Sequence, residues 1–153
     1  MLPIGHSGFM KIIKLMIIFI IITPLSVFAD SKYANLNQYE LRLYCSNNTY
    51  SEAELTRCLK KIFYTSQAEL DKSQQNFFNT LSNWDEDKEY IVIAKNKLKK
   101  ANKEFIKYRD LQCDFAYSLG GGAIDNALNM YKFSCLAELN FQRAKQLDLY
   151  RSN

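Results

Sequence analysis

Ser51-Glu52-Ala53-Glu54-Leu55-Thr56-Arg57-Cys58-Leu59-Lys60-Lys61-Ile62-Phe63-Tyr64-Thr65-Ser66-Gln67-Ala68-Glu69-Leu70-Asp71-Lys72-Ser73-Gln74-Gln75-Asn76-Phe77 is the stretch whose reading decides the fold. It opens with a serine followed three residues later by a glutamate, the pattern of a helix capping box. Leu55, Leu59, Ile62, Ser66, Leu70, Ser73 and Phe77 then recur at intervals of four and three. That spacing places them on one face of a helix, a mostly apolar stripe interrupted by two small serines.

Working outward, Trp84-Asp85-Glu86-Asp87 precedes a second periodic segment, and its acids suit a helix N-terminus. The stripe expected there is Ile91, Ala94, Leu98, Ala101, Phe105, Tyr108 and Phe115. The β-branched cluster in Tyr90-Ile91-Val92-Ile93 could instead form a short strand, but the helical period runs through it. Gly120-Gly121-Gly122 ends the segment as a turn. It is no phosphate cradle, having neither a strand before it nor Lys-Ser/Thr after it. A last helix carries Leu136, Leu139, Arg143/Ala144, Leu147 and Tyr150, and Lys32 to Tyr44 offers a further short one. The expected fold is all-α, a small disulfide-stapled bundle of three to four helices.

The staples are inferred from compartment. Lys11 and Lys14 form a cationic start, Leu15 to Ile22 is uninterruptedly apolar, and Thr23-Pro24 breaks the run. Val27-Phe28-Ala29 then supplies small residues at −3 and −1 of a cleavage site. Residues 1–29 are therefore expected to be a cleaved signal peptide, with Met10 the alternative start because Met1 to Phe9 fits an n-region poorly. The apolar run Ile12 to Ile22 is shorter than the roughly 20 residues a membrane span needs. Residues 30–153 form the expected mature chain, a single helical domain, periplasmic or secreted and without stable membrane insertion.

In an exported chain, Cys45, Cys58, Cys113 and Cys135 read as a disulfide framework. Four cysteines allow three pairings. Cys45–Cys58 would tie the N-terminal segment to the Ser51 helix, and Cys113–Cys135 would bridge two antiparallel helices across the glycine turn. Loops of that size contribute about 3 kcal/mol each in the chain-entropy model. A Cys-x-x-Cys redox pair and the short paired spacings of a zinc site are both missing.

Charge and composition exclude several functions. The chain has 20 Lys+Arg and 16 Asp+Glu, and the leader holds only Lys11 and Lys14, so the mature chain carries 18 cations against 16 acids. That balance does not fit nucleic-acid binding by counterion release. The single histidine, His6, leaves with the leader, removing histidine-based nucleophilic catalysis and histidine metal sites. No cofactor is expected.

Leu98-Lys99-Lys100-Ala101-Asn102-Lys103-Glu104-Phe105-Ile106-Lys107-Tyr108-Arg109-Asp110-Leu111-Gln112-Cys113 resembles the central signature of the lysozyme inhibitor LprI-like family, approximately Leu-x-x-Ala-Gln-x-x-Trp-x-x-Tyr-Arg-Asp-x-x-Cys. The Gly-Gly turn follows in that family, as at Gly120–Gly122, and then a cysteine and an arginine, as at Cys135 and Arg143. Upstream, Glu54-Leu55-Thr56-Arg57-Cys58 is similar to its Glu-Leu-Asn-x-Cys element, with Cys45 before it. The likeness covers roughly Cys45 to Leu147. Asn102 stands in place of the usual Gln, Phe105 of Trp, and Asn140 of a frequent Thr. The resemblance implies a helical, exported protein that binds a lysozyme.

Two groups of residues stand out as candidate sites. Tyr108, Arg109, Asp110 and Arg143 are expected to organise the fold, with Tyr108 on the apolar stripe and Arg109 paired to a carboxylate of the last helix such as Glu138. Trp84, Asp85, Glu86 and Asp87 could simply start a helix with Trp84 buried. Alternatively they anchor a basic protein partner, a tryptophan hot spot rimmed by acids. The Lys95–Lys107 run reads as a solvated face. The expected function is non-catalytic protein binding, with inhibition of a lysozyme by occlusion of its cleft. The alternatives are an envelope or host-interaction protein of the same fold and, third, a hydrolase using Asp110 and Glu138.

Overall fold

A computed structural model describes residues 32–151, so the leader and the expected cleavage point lie outside the described residues. Four helices follow one another, and no strand occurs among the described residues: α1 (Gln38–Ser46), α2 (Glu52–Ser82), α3 (Lys88–Ser118) and α4 (Asp125–Arg151). Tyr90–Ile93 is helical, inside α3.

Local chemistry sets the helix starts. Asn37 caps α1 in a full capping box: its side chain accepts from Glu40 N at 3.0 Å, and Glu40 Oε2 accepts from Asn37 N at 2.8 Å. That cap places the start of α1 at Gln38 and leaves Lys32–Asn35 as turns, a shorter helix than the span from Lys32 to Tyr44 expected from sequence. At α2, Ser51 accepts from Glu54 N at 3.3 Å, but Glu54 reaches back one residue further, to Tyr50 N at 3.0 Å. Asp87 is the N-cap of α3 without a side-chain hydrogen bond to the first turn.

The inter-helix contacts define the topology. Ser66 meets Asn140 and Ser73 meets Asp148, nearly constant offsets that make α2 and α4 parallel. Cys113 with Cys135 and Asn102 with Arg143 make α3 antiparallel to α4. α1 packs on α2 and α4 and does not meet α3. Thus α4 touches every other helix, which is why it buries Ala137, Asn140 and Phe141 in addition to Leu136, Ala144 and Leu147. Tyr150, expected on that stripe, is exposed.

The α2 stripe is buried as its period requires: Leu59, Ile62, Ser66, Leu70 and Ser73 are all in the core. The α3 stripe holds only in its first part, where Leu98 is buried and Ile91, Ala94 and Phe105 are half-buried. Beyond it the buried residues of α3 are Arg109, Cys113 and Ala116, whereas Tyr108 and Phe115 are more than half exposed. A one-residue error is a rotation of about 100° around a helix. Arg109 turns inward because polar groups of α2 and α4 await it there, and this turns Tyr108 out.

Two disulfides staple the bundle. Cys45–Cys58 joins α1 to α2 with Cα atoms 5.8 Å apart, and Cys113–Cys135 joins α3 to α4 at 5.5 Å. Cys45, Cys113 and Cys135 are fully buried and take part in the core. Between α3 and α4, Gly121 has φ +57°, a conformation that favours glycine, and a Cβ at Gly120 would displace the end of the Leu128 side chain.

Candidate functional site

A polar layer crosses the middle of the core. Arg109, only 8 % exposed, donates from Nε and Nη2 to Asp110 Oδ1 at 2.9 and 2.7 Å. Its Nη1 donates to Gln67 Oε1 on α2 at 2.8 Å and to Asn140 Oδ1 on α4 at 2.9 Å. Asn140, fully buried, completes the circuit by donating from Nδ2 to Ser66 Oγ at 3.1 Å. Ser66 in turn donates to Phe63 O at 2.7 Å. Every helix of the long three-helix core thus contributes a side chain to one connected set of hydrogen bonds. Such a layer specifies register, because sliding any helix by a residue would strand a buried charge.

This corrects the expected partner of Arg109. Its carboxylate is that of its neighbour Asp110, and it reaches α4 through the amide of Asn140 instead of Glu138. Glu138 accepts from Gln142 Nε2 at 3.2 Å and lines a different hollow beside Ala34–Asn37. The residues missed from sequence are Gln67 and Asn140, together with the purpose of the serines. The serines were the available signal. Ser66 hydrogen-bonds Asn140, and Ser73 donates to Asp148 Oδ2 at 3.0 Å, so both interruptions of the α2 stripe are links to α4.

Arg143 occupies a different setting. Its Nη2 donates to Asn102 Oδ1 on α3 at 3.0 Å and its Nη1 to Gln146 Oε1 at 2.6 Å, with the guanidinium 5.8 Å from the centre of the Phe105 ring. Burial pushes its pKa below the ordinary arginine value, opposed in part by Tyr150. It lies in a groove between α3 and α4 of about 410 Å³, lined by Phe105, Tyr108, Leu139, Gln142, Arg143 and Gln146. Two of the four motif residues, Tyr108 and Arg143, therefore meet at this surface, while Arg109 belongs to the internal layer and the exposed Asp110 closes that layer at the solvent edge.

The Trp84–Asp87 segment forms the turn between α2 and α3 at one end of the bundle. Trp84 is 45 % exposed, contrary to burial in the core, and Asp85, Glu86 and Asp87 are exposed beside it. The backbone closes through Glu86 N donating to Trp84 O at 3.0 Å. Asp87 precedes Phe105 by eighteen residues, about 27 Å along α3, so turn and groove are separate surfaces. The lysines of α3 are mostly exposed, with Lys95 and Lys99 lying over the Phe78 ring.

Among the described residues, no group of three or more His, Cys, Asp or Glu is placed to hold a metal ion. No helix among them is long and apolar enough to cross a membrane.

A family model, Lysozyme inhibitor LprI, matches residues 45–147, about two thirds of the chain. The chain belongs to the LprI lysozyme inhibitor family. The matched span begins at the first cysteine and ends at Leu147 in α4, so it contains both disulfides, the Arg109 layer and the groove. Membership of LprI connects the chain to an inhibitor family rather than to a catalytic one. No curated protein and no solved structure gives a significant match.

Proposed function

We propose that this protein is a non-catalytic, exported binding module that inhibits a lysozyme by covering its substrate cleft. The observation that carries the reading is the LprI match across the whole stapled core. Lysozyme acts through two carboxylates that flank a glycan in a cleft, so a rigid body seated over that cleft stops the reaction without chemistry of its own. Rigidity favours such binding, since less side-chain and loop entropy is lost on association. The two disulfides and the Arg109 layer supply it.

The Trp84–Asp87 turn is the proposed contact. It projects from the end of two 31-residue helices, with an exposed tryptophan and three exposed acids. Tryptophan is enriched in binding hot spots, and acids at a rim steer a cationic partner and raise its association rate. With a nearly balanced chain, that attraction must come from a local patch.

The test is lysis of cell-wall substrate by c-type, g-type and i-type lysozymes in the presence of the oxidised chain beginning at Asp30. Dose-dependent inhibition of at least one class is expected. Full activity of all three at saturating concentrations of the chain refutes the reading. Export is tested by fractionation of the producing cell, with the mature N-terminus expected at Asp30.

A further inference from the structure

We propose that the groove between α3 and α4 is a second docking surface, which receives an acidic side chain presented by a protein partner from within an apolar patch. This goes beyond the lysozyme reading and does not depend on lysozyme being that partner.

Three observations carry it. First, Arg143 is a cation without a carboxylate partner among the described residues. Both of its hydrogen-bond acceptors, Asn102 Oδ1 and Gln146 Oε1, are neutral amides, and its Nε is buried with no acceptor among the described residues. Arg109 shows what the same fold does with a satisfied guanidinium: it supplies Asp110 and two amides. A half-buried guanidinium held by neutral partners alone is only partly compensated, and the Nη edge it presents to the groove suits a carboxylate.

Second, the groove holding Arg143, at about 410 Å³, has about twice the volume of either of two other shallow hollows among the described residues, about 210 and 220 Å³. Phe105, Tyr108 and Leu139 give it apolar walls, and Gln142 and Gln146 complete the lining beside that one charge. Aromatic and aliphatic side chains beside a single arginine, with neutral amides for the rest of the lining, suit an interface centre.

Third, the apolar surface continues outside the groove. Tyr108, Leu111, Phe115 and Leu119 follow one another at spacings of three, four and four along α3, and they are 55, 72, 57 and 66 % exposed. From Tyr108 to Leu119 the stripe runs about 16 Å. A stripe of that length beyond an open groove exceeds what a small carboxylate would cover, and points to a macromolecular partner. The charge at one end and the apolar stripe beyond it together describe the complement: an Asp or Glu flanked by apolar side chains.

The probe is a synthetic peptide, acetyl-Leu-Glu-Phe-amide, with acetyl-Leu-Gln-Phe-amide as the control. Binding to the oxidised chain is followed by the NMR signal of the Arg143 Nε–H and by the amides of Tyr108 and Leu139. The acidic peptide should shift these signals saturably near about 1 mM, and the control should bind at least about tenfold more weakly. Arg143→Gln should abolish the difference between the two peptides. Gln146→Glu keeps the question open to refutation if that variant misfolds, because it offers Arg143 an internal carboxylate where an amide oxygen already sits. It should raise the thermal midpoint by roughly 3 °C while weakening the acidic peptide about tenfold. A purely structural arginine would show the first change without the second. Equal binding of the two peptides, no response in the groove, or a Gln146→Glu chain that still prefers the acidic peptide would each overturn the proposal. Because lysis is assayed separately, loss of the lysozyme reading leaves this result standing, and the reverse also holds.

Discussion

Replacing Asn140 with leucine tests the polar layer most directly. The two side chains branch alike at Cγ, so the change removes hydrogen bonds while opening little cavity. Asn140 is fully buried, accepts from the Arg109 guanidinium at 2.9 Å and donates to Ser66 at 3.1 Å. The charge-assisted bond is worth about 2 kcal/mol and the neutral one about 1 kcal/mol, while the added apolar burial returns about 1 kcal/mol. The expected net loss is about 2 kcal/mol, a large share of a typical domain stability of about 5–15 kcal/mol. Urea unfolding of the oxidised chain, followed by far-ultraviolet circular dichroism, measures it. Arg109→Met should destabilise by a similar amount, because it strands the Asn140 oxygen in the core. The double variant removes both halves of the bond, so it should be at least about 1 kcal/mol more stable than the two single losses predict. Additivity within about 0.5 kcal/mol would refute the view that these residues form one coupled network.

Further expectations follow from the staples, the turn and the acidic end. Cys113→Ala/Cys135→Ala opens a link of sequence separation 22 and should lower the stability by about 3 kcal/mol, as Cys45→Ala/Cys58→Ala should at separation 13; the urea midpoint reports both. Gly121→Ala, at φ +57°, should destabilise by about 1 kcal/mol, whereas Gly122→Ala, with open space around it, should change stability by less than about 0.5 kcal/mol. Asp85→Lys/Asp87→Lys should slow association with a cationic lysozyme roughly tenfold at low salt and flatten the salt dependence of inhibition. Unchanged stopped-flow association rates would remove that turn from the mechanism. Trp84→Ala should weaken inhibition by at least about tenfold, with the thermal midpoint nearly unmoved because the ring is 45 % exposed.

The sequence alone determined the helical class, the glycine turn, the four cysteines and the α2 face. For α2 the period sufficed because Leu59, Ile62 and Leu70 bury as ordinary apolar residues, and hydrophobic periodicity reports such burial directly. Only the tertiary structure decided which face α3 turns inward and what the polar residues do there. Arg109 lies in the core because Gln67 and Asn140 converge on it from two other helices, with Ser66 accepting from Asn140 behind them, and no period within α3 contains that information. The exposure of Tyr108 and the pairing of Arg143 with the amides of Asn102 and Gln146 arise in the same way. A hydrophobic stripe is a property of one helix, whereas the satisfaction of a buried charge depends on partners distant in the chain.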